Sequence, residues 1–388
     1  MSDLYRSAIH ARASKLPPVP PTVYPGHTYG DEVEDEEAEM EDSVGSLPSE
    51  MGPPKSFNLG KRQKKTPNPS FAPISAAAYF EQATQVSVVA SGLDFRAYYT
   101  PPKFSDGTVL VCHHGAGYSG LSFACLAKEF TRLSKGECGV LSLDCRGHGK
   151  TTRIGPTETS EEDLSIDTLT SDLVNLLSTI FSDFATAPTF LLVGHSLGGS
   201  VCVRACPLLQ DRKYKVTGVV VLDVVEEFTL EALPMMHSLL DARPEGFDSA
   251  EDAVEWHVKT NVIRNVDSAR VSIPAIVVPN PKPNTRAPDF LWRTPLRSTA
   301  PYWTSWFTGL SSKFLSARTA RLLVLAGTER LDKELMIGQM QGKFQLEVLA
   351  GVGHMIHEDD PARLAELLVE FWRRNERVLV GIKKVGDL

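Results

Sequence analysis

The amino-acid sequence predicts an α/β fold in which a mostly parallel central sheet is flanked by helices. From residue 108 onward, short apolar runs that suit strands alternate with segments that have the apolar periodicity of helices. Alternation of this kind indicates parallel strands that are covered on both faces of the sheet. In addition, the stretch Leu191–Gly199 ends an apolar run in Gly-His-Ser-Leu-Gly and leads into a helix-compatible segment, Ser200–Leu209.

The composition is that of a globular protein with no general affinity for nucleic acid or membranes. Of the 388 residues, 42% are hydrophobic, which allows a sizeable core in one large domain or two ordinary ones. The formal net charge of −8 argues against general nucleic-acid binding. No apolar stretch approaches the length of a membrane span, and the N-terminus has no apolar signal core. We therefore expect a location in the cytoplasm, with the nucleus as a second compartment.

The six cysteines are scattered along the chain without CxxC spacing. Most lie in apolar surroundings, as reduced core thiols do in cytosolic and nuclear proteins. Because no tetrahedral ligand set is apparent, we do not expect the cysteines to bind a metal.

Residues 1–75 are predicted to form a disordered acidic and proline-rich tail. Prolines crowd residues 16–25, acidic side chains dominate 31–42, and a lysine-rich cluster spans 61–65. Low hydrophobicity and blocks of like charge cannot offset the entropy cost of ordering the chain. Besides a solvated tail, this segment could be an arm that docks a partner, and the lysine cluster could be a weak nuclear-import signal.

Residues 76–388 are predicted to form the folded domain, which begins with a β-hairpin. The hairpin strands are 85–90 and 95–99, with a turn at Ser91-Gly92. The later elements, in chain order, are strand 108–112, helix 122–133, strand 139–143, helix 165–184, the strand that ends at the Gly-His-Ser-Leu-Gly motif with its helix, strand 216–222, strand 321–327, strand 344–349 and helix 361–374.

A polar, aromatic-rich insert at about 229–320 separates the two halves of the predicted sheet. It contains a helical pattern over 249–258 and a proline-rich loop over 279–288. An insert after the strand that follows the Gly-His-Ser-Leu-Gly motif is where a cap over an active site would lie. Its aromatic side chains suit either a simple core or a wall that faces a substrate, and the main candidates are Trp292, Trp303 and Trp306.

The motif Gly194-His195-Ser196-Leu197-Gly198 fits the G-x-S-x-G nucleophile elbow, in which a serine lies on a tight turn between a strand and a helix. The strained serine backbone requires neighbours without a β-carbon if the strand and the helix are to pack closely. The N–H of Leu197, at the start of the helix, would point to where an oxyanion forms. We therefore predict Ser196 as a nucleophile and Leu197 as one oxyanion-hole donor.

A serine nucleophile needs a base within hydrogen-bond distance and a carboxylate that holds this base. His354 is favoured as the base because it follows a strand in a glycine-rich turn, whereas its rival His357 begins the approach to the last helix. For the carboxylate, spacing alone slightly favours Asp332, after the penultimate strand, over Asp223, at the end of the strand after the elbow. The carboxylate that is not used would cap a helix or pair with an arginine.

The second oxyanion-hole donor is expected in the loop 113–118, directly after a strand. We predict the N–H of Ala116, with Gly115 and Gly117 allowing the backbone to approach the substrate closely. The turn 144–149 ends another strand near the same rim and is interpreted as scaffolding, because its charged side chains can brace loops without contacting a substrate.

Several stretches accompany the elbow: His114-Gly115, Gly117–Phe123, Leu143–Gly149 and Leu222–Glu226, and the less generic Ile263–Ser272, Tyr302–Ser311 and Arg330–Gln345. With these residues the chain resembles the α/β-hydrolases from about Gln85 to Val378, and within them the protein phosphatase methylesterases. Generic hydrolases share the elbow but not these less generic stretches. One departure is Leu197, where that family often has methionine, an apolar exchange of similar volume.

That family removes the methyl ester from the C-terminal leucine of the catalytic subunit of type 2A protein phosphatase. The resemblance therefore implies an α/β-hydrolase fold and a serine carboxylesterase that works by two-step acyl transfer, releases methanol and needs no cofactor. It also implies a triad of Ser196, Asp223 and His354. The match over Leu222–Glu226 assigns the acid of the triad to Asp223 instead of Asp332.

The resemblance further implies that the partner is the methylated tail of the phosphatase catalytic subunit, together with the holoenzyme, and that the cap clasps this tail. Asp332 would then brace the loop under the histidine or contact the phosphatase. The expected contacts with the substrate or partner are Gly115, Gly117, Tyr118, Trp303, Trp306 and Asp332. Two other functions stay open, namely a serine hydrolase for small esters or peptides and a noncatalytic phosphatase-binding module.

Overall fold

The structure is a computed structural model that describes residues 64–155, 162–282, 287–327 and 331–379. The strands of these residues are β1 (Gln82–Val88), β2 (Leu93–Thr100), β3 (Thr108–His113), β4 (Cys138–Leu143), β5 (Thr152–Arg153), β6 (Thr189–His195), β7 (Val216–Leu222), β8 (Gly246–Phe247), β9 (Val277–Pro279), β10 (Phe290–Trp292), β11 (Ala320–Ala326) and β12 (Gln345–Leu349).

The central sheet has the strand order β1-β2-β4-β3-β6-β7-β11-β12, and β5 pairs with β2 at one edge. The pairs from β4 to β12 along this order are parallel, whereas β2 is antiparallel to both β1 and β4. Strands β3, β4 and β7 are buried along their whole length, since helices cover both faces of the sheet. The predicted mostly parallel sheet is confirmed.

The α-helices of the described residues are α1 (Ala124–Leu133), α2 (Ile166–Ile180), α3 (Leu197–Asp211), α4 (Glu226–Asp241), α5 (Ala250–Lys259), α6 (Val266–Ser272), α7 (Trp303–Phe307), α8 (Leu310–Ser316), α9 (Lys333–Met340), α10 (Ile356–Asp359) and α11 (Pro361–Leu379). Helices α1 and α11 pack on one face of the sheet, and α2, α3, α7 and α8 contribute to the core on the other face. Alternate residues of β3 enter these two cores, since successive side chains of a strand point to opposite faces.

The insert lies between β7 and β11 and begins with α4 at Glu226, slightly earlier than the sequence predicted. It carries a small second sheet of strand order β8-β10-β9. An apolar cluster of its own includes Phe247, Val254 and Ile263, and this cluster also contacts Tyr118 and Met355 from the loops after β3 and β12. The insert therefore packs directly against loops at the carboxyl end of the central sheet.

The first described residues correct one boundary, because 64–75 pack on the insert instead of belonging to a free tail. The backbone N–H of Ile74 donates to the carbonyl oxygen of Arg270 (3.0 Å). The Lys65 Nζ pairs with Asp252 (2.7 Å) and with Glu255 (2.6 Å) on α5. These partners lie far away in the sequence, so local composition gave no sign of them. The rest of the predicted tail, residues 1–63, lies outside the described residues.

No helix within the described ranges is long and apolar enough to span a membrane.

Candidate active site

Ser196 lies on the turn between β6 and α3 with φ of 52° and ψ of −119°, a backbone region that residues with a β-carbon rarely adopt. Its N–H donates to the carbonyl oxygen of Leu222 at the end of β7 (3.1 Å). A β-carbon at Gly194 would lie 2.1 Å from the carbonyl oxygen of Gly198, and one at Gly198 would lie 2.1 Å from that of His113. Both glycines are therefore required by the close packing around the serine.

His354 and Asp223 meet at the same end of the sheet. The Nδ1 of His354 lies 2.8 Å from Oδ2 of Asp223, and Oδ1 of Asp223 accepts the N–H of Ala326 at 2.7 Å. The side chain of Asp223 is fully buried, whereas that of His354 is 30% exposed. The carboxylate is thus fixed by the sheet, and the imidazole faces the cavity beside Ser196.

The electrostatics of this pair favour a charged carboxylate. Burial alone would raise the pKa of Asp223, but the hydrogen bond and the charge of His354 contribute to holding this pKa below its ordinary value. Because a carboxylate can only accept, Nδ1 of His354 carries the hydrogen. In the neutral ring, Nε2 is then free of hydrogen, as a base requires.

The loop that carries His354 is held by side chains to which the sequence analysis gave no role. The Oδ2 of Asp359 accepts the N–H of Gly353 (2.6 Å), and its Oδ1 accepts the N–H of Arg264 from the insert (2.8 Å). On the other side, Nε2 of His195 lies 2.9 Å from the carbonyl oxygen of His354. The match over Ile263–Ser272 contained Arg264, but nothing in the sequence paired it with Asp359.

The two predicted oxyanion-hole donors are backbone N–H groups on either side of Ser196. Leu197 is the first residue of α3, so its N–H has no acceptor within the helix. Ala116 lies in the loop after β3 and lines the cavity beside Ser196 and His354. No hydrogen bond from its N–H occurs within the described ranges. Both groups are therefore available to a ligand at the serine.

Buried histidines lock the Ala116 loop. The Nε2 of His114 accepts the N–H of Cys145 (3.0 Å), and its Nδ1 lies 2.8 Å from the carbonyl oxygen of Gly115. In the same way, Nε2 of His148 accepts the N–H of Gly117 at 2.9 Å. A ring that accepts on one nitrogen is neutral, and burial lowers the pKa of both rings. The turn 144–149 thus has the predicted scaffolding contacts, but partly through a histidine that the prediction left out.

A further buried histidine, His357, leads to a testable prediction. Its ring stacks on Phe123 with centroids 4.3 Å apart, and burial lowers its pKa to about 3. In the unfolded chain a histidine titrates at about 6.5, so below that pH the unfolded state binds the additional proton and the folded state loses stability. Replacing His357 by phenylalanine removes this penalty. Between pH 7.5 and pH 5, we expect the stability of H357F relative to wild type to rise by about 2 kcal/mol.

The measurement is urea unfolding of wild type and H357F at pH 7.5 and pH 5. Other buried titrating groups, such as Glu358, are common to both proteins, so the difference between the proteins isolates the histidine. A difference in unfolding free energy that does not change with pH would contradict the prediction.

The other predicted contact residues divide into two groups. Gly115, Tyr118, Trp303 and Trp306 line the cavity beside Ser196 and His354. Gly117 is not among the lining residues, and a β-carbon there would be 2.8 Å from a methyl carbon of Leu296. Its φ of 81° and its N–H bond to the His148 ring indicate a role in shaping the loop.

The predicted role of Asp332 is corrected, because this residue does not line the cavity beside Ser196 and His354. It is the buried N-cap of α9, where Oδ1 accepts the N–H of Leu335 at 2.8 Å. Its Oδ2 accepts the hydroxyl hydrogen of Ser311. Both oxygens are thus occupied inside the protein, and Asp332 makes no hydrogen bond with His354 among the described residues. This is the helix-capping role that was expected for the carboxylate outside the triad.

The cavity beside Ser196 has a volume of about 200 Å³ and a mainly apolar wall that the insert largely provides. Its apolar lining includes Val224, Leu233, Met236, Leu239, Leu240, Trp256, Val262, Leu296, Phe307 and Met355. The Nε1–H groups of Trp303 and Trp306 donate to Thr299 (2.8 Å) and to the carbonyl oxygen of Leu164 (2.7 Å). The two indoles therefore belong to the core, and both residues also line the cavity.

Comparisons with known proteins identify the family to which the chain belongs. Residues 110–367 match the model of the alpha/beta hydrolase family. A protein named protein phosphatase methylesterase 1 from Cryptococcus neoformans var. neoformans serotype D is 46% identical, and the alignment covers 100% of this chain and 96% of that protein. Relatives of the same name from Aspergillus fumigatus and Schizosaccharomyces pombe are 41% and 43% identical, covering 100% and 79% of this chain and 93% and 87% of their own lengths.

Solved structures support the fold. An E-2-(acetamidomethylene)succinate hydrolase superposes with a TM-score of 0.60 at 18% identity, over 75% of this chain and 99% of its own. A marine microorganism esterase superposes with a TM-score of 0.52 at 17% identity, over 72% and 98%. The solved structures support only the assignment of the fold. The relatives that align over the whole chain identify its family within the α/β-hydrolases. The chain belongs to the protein phosphatase methylesterase family of α/β-hydrolases.

Proposed function

We propose that the protein is a serine carboxylesterase that removes the methyl ester from the C-terminal leucine of the type 2A protein phosphatase catalytic subunit. The observation that carries this proposal is the 2.8 Å contact between Asp223 and His354 beside the strained turn of Ser196. A base that is oriented by a buried carboxylate next to an elbow serine is the arrangement that acyl transfer needs. The substrate is assigned from the name that the full-length relatives share.

In the first half-reaction, Oγ of Ser196 attacks the ester carbonyl carbon while Nε2 of His354 takes the hydroxyl proton. Asp223 holds the ring in the tautomer with hydrogen on Nδ1 and stabilises the cation that forms. The N–H groups of Ala116 and Leu197 stabilise the oxyanion, and one such donor is worth about 3 kcal/mol of the barrier. His354 then gives its proton to the methoxy oxygen, and methanol leaves.

In the second half-reaction, water attacks the acyl-serine while His354 takes its proton. The tetrahedral intermediate collapses, Ser196 regains its hydrogen from His354, and the leucine carboxylic acid is released and loses its remaining proton to solvent. Each proton that His354 accepts is returned within its own half-reaction. No step of this sequence requires a metal ion or an organic cofactor. Among the described residues, no group of three or more His, Cys, Asp or Glu side chains could hold a metal.

The insert, which begins at Glu226 and ends before β11, is assigned as a cap that clasps the phosphatase tail. Its aliphatic and aromatic side chains suit the apolar side chain of a terminal leucine. The phosphatase holoenzyme is assigned as the larger partner. The cysteines within the described residues are free thiols, which suits the reducing cytoplasm and nucleus.

The test is methanol release from purified, carboxyl-methylated phosphatase 2A, compared with hydrolysis of p-nitrophenyl acetate and of methyl-esterified peptides. Unmethylated phosphatase is the control. We expect the methylated phosphatase to have the highest kcat/KM. Higher values for the small esters would favour a general serine hydrolase, and phosphatase binding without methanol release would favour a noncatalytic binding module.

A further inference from the structure

The cavity beside Ser196 contains a cation that the proposed mechanism does not use. Arg243 follows the C-terminal end of α4, lines the cavity and is partly buried. Its guanidinium lies over the ring of Trp292, 4.8 Å from the ring centroid. The Trp292 Nε1–H in turn donates to the carbonyl oxygen of Pro244 (2.8 Å), which ties the indole to the residue after Arg243. The guanidinium is thus supported from one side by an aromatic face.

Arg243 has no acidic partner and no side-chain hydrogen bond among the described residues, unlike other arginines of the insert. Arg270 pairs with Asp267 at 3.3 Å, Arg297 pairs with Asp241, and Arg293 donates to the carbonyl oxygen of Ala275 at 2.8 Å. Burial lowers the pKa of Arg243, because the charged form loses water without gaining an anion. A guanidinium has five N–H donors, and leaving them unmatched in a partly buried place is costly.

The rest of the cavity indicates what kind of group would match these donors. The lining is mainly apolar, and Arg243 is its only arginine or lysine among the described residues. One guanidinium matches one carboxylate in charge and in planar two-pronged geometry. A phosphate dianion would call for a second cation. The esterified terminal carboxyl is itself neutral, so it does not supply the charge.

We propose that Arg243 is a specificity-determining residue that binds the carboxylate of an aspartate or glutamate in the substrate tail, upstream of the esterified leucine. This inference rests on the proposed function, which supplies the esterified substrate. The pairing of Arg243 with a carboxylate is a binding contact and is tested by binding alone. The substrate class is then an acidic peptide ester. Its apolar end lies in the cavity, and one carboxylate of the peptide binds Arg243.

The experiment uses methyl-esterified peptides that end in leucine and carry one aspartate at each preceding position in turn, with asparagine in the matched peptides. For the favoured position, we expect wild type to prefer aspartate by about 10- to 100-fold in kcat/KM, as a charge-assisted hydrogen bond would give. In R243M, which keeps the apolar stem, the preference should fall to about one. R243K should be intermediate because it keeps the charge but loses the planar fork. R297M, a change of an arginine that does not line the cavity, is the control and should retain the full preference.

Binding of the same peptides to S196A, with and without R243M, separates this proposal from the esterase proposal. If no variant hydrolyses the peptide esters or the methylated phosphatase, but S196A still prefers aspartate and S196A/R243M does not, the pairing stands and the esterase function fails. Equal affinity for both peptides, no binding by either, or a preference that survives R243M would overturn the pairing. If the only effect of R243M were a loss of inhibition by the product, the pairing would also be overturned. Arg243 would then bind the terminal carboxylate that the reaction releases and not an acidic side chain upstream of it.

Discussion

Replacing Ser196 by alanine is expected to lower the turnover of the methylated phosphatase by about a million-fold, as loss of a triad serine does elsewhere. The N–H groups of Ala116 and Leu197, which are the proposed oxyanion-hole donors, belong to the backbone and stay in S196A. They therefore account for the small residual rate that we expect above the uncatalysed reaction. The measurement is methanol release under single-turnover conditions, which reports the acylation step directly.

The fold of S196A should be unchanged, because the contact that holds the turn uses the backbone. The N–H of residue 196 donates to the carbonyl oxygen of Leu222, and alanine retains this donor. S200A is the matched control, since Ser200 is a buried serine of the adjoining helix α3 with no role in the proposed chemistry. We expect S200A to keep wild-type turnover and S196A to keep the wild-type unfolding midpoint.

Covalent labelling gives an independent measure of the same serine. A fluorophosphonate should react with wild type and S200A but not with S196A. Methanol release by S196A at the wild-type rate would mean that another group is the nucleophile, and the proposed role of His354 would fall with it.

The sequence could predict the central sheet because its strands carry their own signal. Strands β3, β6 and β7 are apolar runs that end in glycine-rich or polar turns, and the structure has β3 and β7 within about a residue of the predicted bounds. The elbow was predictable for the same reason, since its glycines are required by local packing. Features that arise from the chain itself were therefore accessible without a structure.

Features that depend on distant residues were not accessible. Spacing favoured Asp332 because it follows the penultimate strand, yet its carboxylate caps α9, and only the resemblance pointed to Asp223. The packing of 64–75 depends on acidic side chains of α5 and was invisible in the local composition. The bracing by His114 and His148 likewise depends on the contact between two loops.

The insert links the wall of the cavity to the position of His354. The same segment provides cavity wall from α4 and donates the Arg264 N–H to Asp359, which holds the turn before His354. A shift of the insert would therefore change both the cavity and the catalytic loop. Within the proposed function, contact of the phosphatase with the cap would bear on the alignment of the triad.

Asp223→Asn is the second change with a large expected effect, a loss of about 10,000-fold in turnover with little change in fold. In the variant, the amide oxygen can still accept the N–H of Ala326, which directs the NH₂ group toward Nδ1 of His354. Nδ1 must then accept, so the hydrogen moves to Nε2 and the ring can no longer take the proton of Ser196. The defect is therefore one of tautomer and not of packing.

Asp332→Asn is the matched control, because asparagine is also a good N-cap residue and can still accept the N–H of Leu335. We expect D332N to keep turnover within about threefold of wild type and to lose at most about 1 kcal/mol of stability. Both variants are compared by methanol release and by urea unfolding. If D332N lost turnover and D223N kept it, the acid of the triad would be Asp332, and the short contact between Asp223 and His354 would have no catalytic role.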